Sequence, residues 1–385
     1  MKKKRIALFM NYPAHYTDVV FKYLMIDDRV DISLFYYNKL PTDHQEWQRE
    51  IDNNERIYYS SKSIYIYKKE YYNSDIIKLF RKNRFDVAII SGLMPFTSLH
   101  LIKICQLRKI PYIFCSDTAL LPIDGYVDRS FSWKKRYKRV AEKAIGLWVP
   151  GRASCEFWKK ICGDIIEQRL VYGRYLLDTE GIAVHLDKEE ANSTIRKQLG
   201  IGKNDFVILF VGALSENRKI ESLIRAYELL ARDKTNIRLI IIGDGEDANK
   251  LTMLDDYDIP AIMHIPKVPV SKLNDYYYCA DCYVHPGEEP YSLALVQAVF
   301  DDIPVVTTDR VGAAYDYILD GCNGYIVKDA DEAKIAHAVI NILNGDLNKD
   351  ALSTYNRKVF GERNAKATAN NLVELIINNT REVNK

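Results

Sequence analysis

Short apolar runs alternate with amphipathic segments along almost the whole chain. The runs are rich in Val, Ile and Phe and are bounded by Gly, Pro or Asn, which is typical of strands buried on both faces. They fall at residues 5–10, 30–37, 86–91, 111–115, 148–151, 170–173, 205–212, 237–243, 262–265, 283–284, 303–308 and 325–327. The segments between them place apolar residues at helical spacing. This alternation predicts an α/β fold in which helices cover parallel sheets.

A polar stretch divides this pattern into two halves. Residues 177–203 contain no strand signal, and the chain of 385 residues exceeds what one hydrophobic core usually organises. We therefore predict a domain boundary near residue 178, with a doubly wound, Rossmann-like domain on each side. Helical patterns follow the last predicted strand. The predicted divisions are 1–178, 179–350 and 351–385.

Composition and cysteines favour a cytoplasmic protein. With 48% apolar and 28% charged residues, the chain has the balance of a soluble globular protein. The five apolar residues after the basic start are too few for a signal peptide, and no run approaches the roughly 18 apolar residues of a membrane span. Seven scattered cysteines predict reduced thiols. The single CxxC, formed by Cys279 and Cys282, lacks a second pair of ligands, so we predict packing and no metal.

Charge is distributed unevenly along the chain. Residues 1–175 contain 31 Lys and Arg against 19 Asp and Glu, whereas the whole chain contains 54 against 52. The densest basic stretch, residues 129–139, interleaves aromatic side chains with cations. Such a stretch suits an anionic membrane surface or a lipid diphosphate, although a solvated helix face has the same composition. The sequence contains no recognised nucleic-acid module, so we predict no nucleic-acid partner.

Candidate chemistry is concentrated between residues 283 and 327. A short apolar run ends at a Pro-Gly turn, and two carboxylates, Glu288 and Glu289, follow at once. Pro290 suits the first position of a helix, which places the carboxylates just ahead of unpaired backbone N–H groups. Such a loop can hold hydroxyls with its acids and a phosphate with its amides, as a nucleotide sugar requires. The alternative is an acidic first turn that only complements the helix dipole.

This stretch resembles the donor-binding half of glycosyltransferase family 4. In that family a Glu-x7-Glu pair precedes a G-x-PV segment and a final Asn-Gly element. Here Glu289 and Gln297 occupy the pair, and residues 302–305 and 323–327 occupy the two later elements. The resemblance implies the GT-B fold, in which two Rossmann-like domains face a cleft. It also implies an N-terminal acceptor-binding domain, a C-terminal nucleotide-sugar-binding domain, and last helices, here 351–385, that pack back towards the N-terminal domain.

Residues 211–227 resemble the family's first donor motif, a glycine after a strand followed by cations. Gly212 matches the glycine, Arg218 matches the family's lysine, and Lys219 follows it. A glycine there lets the backbone approach a ligand, and cations on the next helix reach its phosphates. Ala213 stands where the family has an arginine, so one phosphate cation is missing. The alternative for Arg218 and Lys219 is the solvated start of a helix.

The resemblance implies retaining transfer of a sugar from a nucleotide diphosphate donor, without a metal or another cofactor. Catalysis then depends on stabilising the departing diphosphate and on positioning the sugar. Glu289, with Glu288 as its substitute, would hold sugar hydroxyls, and Gln297 would hold the ribose. The implied catalytic residues are Glu289, Asp117, Arg218 and Lys219. The implied donor-binding residues are Gly212, Arg218, Lys219, Glu288, Glu289, Tyr291, Ser292, Leu293 and Gln297.

The acceptor side of the site is assigned to the first predicted sheet. The family has a histidine after the strand that matches residues 111–115, and Asp117 stands near that position here. A carboxylate there could orient an acceptor hydroxyl or accept its proton, whereas Asp also commonly caps a turn. Asn11 and His15 lie in the loop after the first predicted strand and are candidates for contact with the donor or the acceptor.

We therefore expect a retaining glycosyltransferase that acts on a glycan or lipid-linked acceptor in surface polysaccharide biosynthesis, cytoplasmic and peripheral on the inner face of the membrane. Two alternatives stay open. One is a non-catalytic nucleotide-sugar binding protein, suggested by Ala213 and Gln297, and the other is a GT-B nucleotide-sugar epimerase, which needs no acceptor. A dehydrogenase is disfavoured, because no G-x-G-x-x-G joins the first predicted strand to its helix.

Overall fold

The structure, a computed structural model, describes most of the chain. The described residues are 2–38, 56–67, 70–93, 96–119, 131–179, 187–232, 234–252 and 262–380. They separate into two compact units. The first unit extends to Leu176 and resumes at Arg363, and the second is formed by Leu177–Glu362.

Parallel strands form the sheet of the first unit. The strands of this unit are β1 (Lys4–Met10), β2 (Val30–Tyr36), β3 (Ile57–Tyr59), β4 (Ser63–Tyr67), β5 (Glu70–Asn73), β6 (Val87–Ser91), β7 (Tyr112–Cys115), β8 (Gly146–Val149) and β9 (Leu170–Tyr172). Apart from an antiparallel ribbon of β4 and β5, they pair in the order β3-β2-β1-β6-β7-β8-β9. The chain order reverses between β1 and β6, so the residues that follow these strands lie at the topological switch point.

The second unit contains its own parallel sheet. Its strands are β10 (Phe206–Val211), β11 (Ile237–Ile242), β12 (Ile262–Ile265), β13 (Cys282–His285), β14 (Val305–Thr308) and β15 (Gly324–Val327). They pair in the order β12-β11-β10-β13-β14-β15, and each pair is parallel. The order of this sheet reverses between β10 and β13, which places its switch point beside the acidic turn after β13.

Helices connect the strands in both units. They are α1 (His15–Ile26), α2 (Ser74–Lys82), α3 (Phe96–Arg108), α4 (Phe131–Lys143), α5 (Arg152–Cys162), α6 (Lys188–Gln198), α7 (Ile220–Ala231), α8 (Asn249–Thr252), α9 (Val270–Cys279), α10 (Leu293–Phe300), α11 (Ala314–Tyr317), α12 (Glu332–Leu343), α13 (Lys349–Glu362) and α14 (Ala365–Thr380). None of the described helices has the length and apolar character needed to cross a bilayer. The predicted α/β class with two parallel sheets is confirmed.

The strand β1 is buried on both faces, as its continuous apolar sequence predicts. Ala7 and Phe9 belong to one apolar layer of the first unit, and Ile6 and Leu8 belong to the other. Because successive side chains point to opposite faces of a strand, one short run supplies both layers. The last helix, α14, adds Leu372 to the second of these layers.

The last two described helices, within the segment 351–385 that is predicted to hold the C-terminal helices or at its edge, lie in different units. α13 lies in the second unit, and α14 lies in the first. Asp302 explains how α13 is held: it has a left-handed φ of 60° at the glycine position of the G-x-PV motif. Its carboxylate accepts hydrogen bonds from the Ser353 hydroxyl at 2.7 Å and from the Asn356 amide at 2.9 Å, both on α13. These contacts anchor α13 within its own unit.

Candidate functional site

The carboxyl ends of β10 and β13 meet at the switch point of the second sheet. Gly212 follows β10, and the turn after β13 carries Glu288 and Glu289. In open parallel sheets, ligands bind outside the carboxyl ends of the strands at such a point. Strand order therefore brings together two segments that the sequence identifies through separate motifs.

Gly287 lets these two segments touch. A Cβ at this position would lie 2.4 Å from the Asn217 carbonyl oxygen and 2.5 Å from the Arg218 Cα, so no side chain fits. The backbone N–H of Glu288 donates to the Asn217 carbonyl at 2.7 Å. On the other side, the Thr308 hydroxyl donates to the Gly287 carbonyl at 2.7 Å. The acidic turn is thus fixed by close backbone contacts.

Replacing Gly287 with alanine is expected to push the Arg218 segment away from the acidic turn. The added methyl group meets backbone atoms, which must shift, and overpacking of this kind costs about 1–3 kcal/mol. Urea unfolding should show this loss. The matched control is Gly361→Ala, because a Cβ at Gly361 meets nothing within 4 Å. Wild-type stability in the Gly287 variant would contradict the close approach.

The Glu289 carboxylate is held from two sides. Arg218 Nη2 donates to its Oε1 at 2.8 Å, and His285 Nε2 lies 3.1 Å from its Oε2. The main chain of Glu289 is fixed as well, since its N–H donates to the Arg310 carbonyl at 3.0 Å and its carbonyl accepts from the Gly312 N–H at 2.8 Å. The side chain stays 25% exposed. It is therefore rigidly placed and still within reach of a ligand.

Glu288 has a different cation. Arg310 Nη1 donates to Glu288 Oε1 at 2.5 Å, and Arg310 Nη2 donates to Asp329 Oδ1 at 2.9 Å. The hydrogen bond to Glu288 raises the pKa of the Arg310 guanidinium. The Glu288 side chain is only 14% exposed. The two neighbouring carboxylates are therefore held by separate arginines and are not equivalent.

Sequence motifs do not identify His285 or Arg310. His285 is the last residue of β13, so the sequence pattern indicates only the end of a buried strand. Its buried Nδ1 has no hydrogen-bond partner among the described residues. Arg310 follows β14, the neighbour of β13 in the sheet. The position of Arg310 after a predicted strand could have indicated it, because residues that follow neighbouring parallel strands lie at the same edge of a sheet.

The helix after the acidic turn begins later than predicted. α10 begins at Leu293 rather than at Pro290, because Ser292 is its N-cap and its Oγ accepts a hydrogen bond from the Leu295 N–H at 3.4 Å. Tyr291 is buried, and its hydroxyl donates to another tyrosine of the second unit at 3.4 Å. Tyr291, Ser292 and Leu293 are predicted to bind the donor. Of these, Ser292 is the cap of α10 and Tyr291 packs in the core.

Arg218 and Lys219 are predicted to lie on the helix that follows Gly212, but the structure places neither of them on an α-helix. Arg218 is the last residue of a short 3-10 helix, Glu216–Arg218, and Lys219 precedes α7. Lys219 has a left-handed backbone, with φ at 51° and ψ at 41°. Such a conformation costs a non-glycine residue roughly 1 kcal/mol. Strain of this kind is concentrated at ligand-binding sites, which agrees with the position of Lys219 beside Arg218.

Gln297 is turned along α10 towards Asp301. Both side chains are buried, and Gln297 Nε2 donates to Asp301 Oδ2 at 2.5 Å. The Lys188 amino group lies 3.6 Å from Asp301 Oδ1. Burial raises the pKa of Asp301 to about 6, although Gln297 and Lys188 both act to lower it. The amide of Gln297 therefore already has an internal partner, and its binding of ribose stays a prediction.

Asp301→Asn is expected to change stability in a pH-dependent way. Because the folded-state pKa of about 6 exceeds the ordinary value of 3.8, the unfolded chain ionises first. The wild-type protein should therefore lose stability as the pH rises from about 4 to about 6, by an amount on the order of 2 kcal/mol. The free energy of unfolding of Asp301→Asn should therefore rise relative to that of the wild-type protein across this window. Above the window the difference should stay constant.

Urea unfolding of both proteins between pH 4 and pH 7.5 measures this difference. Asp331 serves as the control of opposite sign. It is the N-cap of α12, and the hydrogen bond from the Lys334 N–H lowers the pKa of its carboxyl. Asp331→Asn should therefore be most costly at the higher pH. A pH-independent effect of Asp301→Asn would contradict the raised pKa.

The predicted acceptor residues lie in the first unit. Asn11 follows β1, and Asp117 follows β7. The Asp117 carboxylate forms an ion pair with Arg174, a residue after β9 that sequence motifs do not identify. His15 is the first residue of α1, and its side chain lies outside what the structure describes. The predicted donor residues all lie in the second unit.

In the part of the chain that the structure describes, no three His, Cys, Asp or Glu side chains are grouped as a metal site would require. The CxxC cysteines, Cys279 and Cys282, are buried free thiols. Burial raises the pKa of Cys279 to about 11, so its unreactive thiol form is favoured. Both cysteines therefore behave as packing residues.

Comparisons with known proteins bear on this site. Residues 191–359 match the family described as Glycosyl transferases group 1. The lipopolysaccharide 1,2-N-acetylglucosaminetransferase of Salmonella typhimurium is 26% identical over 190 residues, which are 46% of this chain and 49% of that protein. The alpha-monoglucosyldiacylglycerol synthase of Acholeplasma laidlawii is 24% identical over 334 residues, 80% of each chain. This chain spans less than half the length of several curated relatives that it matches.

The fold has solved counterparts. The crystal structure of Anabaena HepE in complex with UDP superposes with a TM-score of 0.70 over 98% of this chain and 100% of that one, at 14% sequence identity. At that identity the likeness shows the fold alone. Assignment to glycosyltransferase family 4 stays a prediction. Residues 191–359, less than half of the chain, are similar to the glycosyl transferases group 1 family, and the two parallel-sheet units have the GT-B fold.

Proposed function

We propose that this chain transfers a sugar, with retention of configuration, from a nucleotide diphosphate donor to a glycan or lipid-linked acceptor. One observation carries the proposal: the Glu289 carboxylate is held by Arg218 and His285 at the switch point of the second sheet. An acid fixed beside a cation at this edge suits a ligand that carries hydroxyls next to phosphates. Relatives named as glycosyltransferases support the reaction class.

In this proposal the second unit binds the donor. Glu289 accepts hydrogen bonds from sugar hydroxyls, and Arg218 and Lys219 face the diphosphate. During transfer, the bond between sugar C1 and the phosphate oxygen breaks, and negative charge gathers on the departing diphosphate. The acceptor oxygen bonds to C1 and gives up its proton to that diphosphate. Fixed positive groups stabilise that charge more in the transition state than in the bound donor. Because guanidinium and ammonium groups supply the charge, the proposal includes no metal ion.

The acceptor is proposed to bind in the first unit. Asp117, with its carboxylate half exposed, orients the acceptor hydroxyl. The names of two relatives, a lipopolysaccharide transferase and a synthase of a glucosylated diacylglycerol, support an acceptor that is a glycan or a lipid. Both fit a role in the biosynthesis of surface polysaccharides or glycolipids.

Thermal unfolding with a panel of UDP, UDP-glucose, UDP-N-acetylglucosamine and GDP-mannose tests the proposal. A ligand at 100 times its Kd stabilises the folded state by about 2.7 kcal/mol, which is a shift of several degrees. We expect such a shift with at least one nucleotide sugar, and slow release of the nucleotide diphosphate. No shift with any member would overturn the proposal. Binding without turnover would favour a binding protein, and an epimerised sugar nucleotide would favour an epimerase.

We also propose that α4 binds an anionic membrane surface. Its Val140 and Ala141 are buried in the first unit, whereas its cations face outward. The exposed cations are Lys135, Arg136, Lys138, Arg139 and Lys143. Each cation near an anionic bilayer contributes about 1 kcal/mol.

Sedimentation with vesicles tests this binding. Replacing the five exposed cations of α4 with alanine should lower affinity for vesicles of phosphatidylglycerol and phosphatidylcholine by at least about a hundredfold. Pure phosphatidylcholine vesicles and 0.5 M salt serve as controls, since both remove the attraction. Equal binding of both proteins would identify α4 as an ordinary solvated face.

A further inference from the structure

Arg174 is buried in the first unit, although arginine side chains are normally exposed. It follows β9 after a turn at Gly173, whose φ of 85° suits glycine, and a Cβ there would lie 2.5 Å from the Thr368 hydroxyl. The backbone N–H of Arg174 donates to the Val149 carbonyl at 3.2 Å. The turn therefore directs Arg174 across the carboxyl edge of the first sheet.

The guanidinium of Arg174 links the ends of three strands. Its Nη2 donates to the Ser91 hydroxyl at 2.7 Å, at the end of β6. Its Nη1 forms an ion pair with the Asp117 carboxylate, which follows β7. Its carbon lies 5.2 Å from the centroid of the Tyr175 ring. The buried Nε has no hydrogen-bond partner among the described residues.

This ion pair is unevenly buried, and stability does not explain it. The Arg174 side chain is 4% exposed, whereas that of Asp117 is 49% exposed. Burying a guanidinium is costly, and an apolar side chain of similar volume often stabilises a fold equally well. The pair fixes the position of the Asp117 carboxylate, because the buried Arg174 guanidinium contacts its Oδ1. Because the Asp117 side chain is half exposed, its carboxylate stays within reach of a ligand.

A second oxygen atom that can accept a hydrogen bond lies at the same carboxyl edge of the first sheet. Phe9 pairs with Ile90, and Ser91 pairs with Cys115, so Asn11 and Asp117 follow neighbouring positions across β1, β6 and β7. The buried Oδ1 of Asn11 has no hydrogen-bond partner among the described residues. Asn11 lies at the switch point, and Asp117 follows the next strand of the same edge. Two oxygen atoms that accept hydrogen bonds in this arrangement call for a ligand with several hydroxyl donors.

We propose that Arg174 is the positioning residue for Asp117, and that the anchored carboxylate and Asn11 bind the hydroxyls of a sugar acceptor. This inference rests on the proposed glycosyl transfer and adds how the first unit presents its acid. Arg174 acts only through Asp117. It contacts neither the sugar nor the nucleotide.

A double-mutant cycle tests the inference, with UDP-glucose as donor, or the best nucleotide sugar of the panel, and with water as acceptor. Arg174→Met keeps the apolar stem and removes the guanidinium. Released UDP measures turnover at saturating donor, and calorimetry measures the Kd of UDP. We expect Arg174→Met and Asp117→Asn each to lower turnover by about a hundredfold, as misplacement of a reacting group does. The Kd of UDP should stay within about twofold of the wild-type value.

The double variant should be no slower than Asp117→Asn alone, because the two residues act as one unit. Losses that multiply, or wild-type turnover in Arg174→Met, would overturn the inference. Arg56→Met is the matched control, since Arg56 pairs with Asp31 at 3.2 Å on the exposed surface of the same unit. If the wild-type protein binds no member of the panel, it is the proposed function that fails.

Thermal unfolding gives a readout that needs no turnover. Asp117→Asn leaves a buried guanidinium without its counter-charge, so this variant should unfold at a lower temperature. Arg174→Met leaves only a half-exposed carboxylate and should unfold at or above the wild-type temperature. Adding Arg174→Met to Asp117→Asn should therefore restore stability. A further loss in the double variant would show that Arg174 supports the fold by itself and would overturn the positioning role.

Discussion

Replacing Glu289 with glutamine is expected to lower turnover of the donor by about a hundredfold to a thousandfold. Glutamine keeps the shape of the side chain, but its amide is a weaker partner for sugar hydroxyls and for Arg218 than a carboxylate is. The Kd of UDP should stay within about threefold, because Glu289 is proposed to contact the sugar rather than the nucleotide. Released UDP and calorimetry with UDP measure the two effects separately.

The matched control for this substitution is Glu332→Gln. Glu332 begins α12 and pairs with Arg225 at 3.6 Å on the surface of the same unit. Exposed pairs contribute little, so this variant should keep wild-type turnover and stability. Turnover of Glu289→Gln at the wild-type rate would remove the observation on which the proposed function depends.

Replacing Arg218 with methionine is expected to weaken binding of UDP itself by about tenfold to a hundredfold. Arg218 Nη1 donates to the Glu288 carbonyl at 3.1 Å, and Nη2 donates to Glu289. The guanidinium thus sits between the acidic turn and the end of β10, where the diphosphate is proposed to lie. Its loss removes a cation from the site and releases Glu289 from one of its two side-chain partners.

Calorimetry with UDP and UDP-glucose measures this effect, and Arg225→Met is the control. The two variants should affect binding differently. Arg218→Met should lower the affinity for both UDP and UDP-glucose, whereas Glu289→Gln should weaken only the contacts with the sugar. Equal affinity of wild-type protein and Arg218→Met for UDP would exclude Arg218 as a diphosphate ligand. In that case Lys219 or Arg310 would be the next cation to replace.

Secondary structure and the place of the acidic turn could be predicted from local pattern. The apolar run of β1 supplies both layers of a core, and burial of this kind is visible in a few consecutive residues. The position of Glu289 could also be predicted, because a carboxylate between a strand and a helix needs only the neighbouring residues to be recognised. The start of α10 could not, since Pro290 and Ser292 both suit the beginning of a helix and the cap was decided at Ser292.

The amino-acid sequence alone determined the α/β class, the two sheets and the loops that carry the acids, because apolar periodicity reports burial within each element. Only the tertiary structure decided which cation holds which acid: Arg218 with Glu289, Arg310 with Glu288, and Arg174 with Asp117. The members of these pairs are 71, 22 and 57 residues apart in the chain. They meet because strand order places their loops at one edge of a sheet, and no local pattern encodes that order.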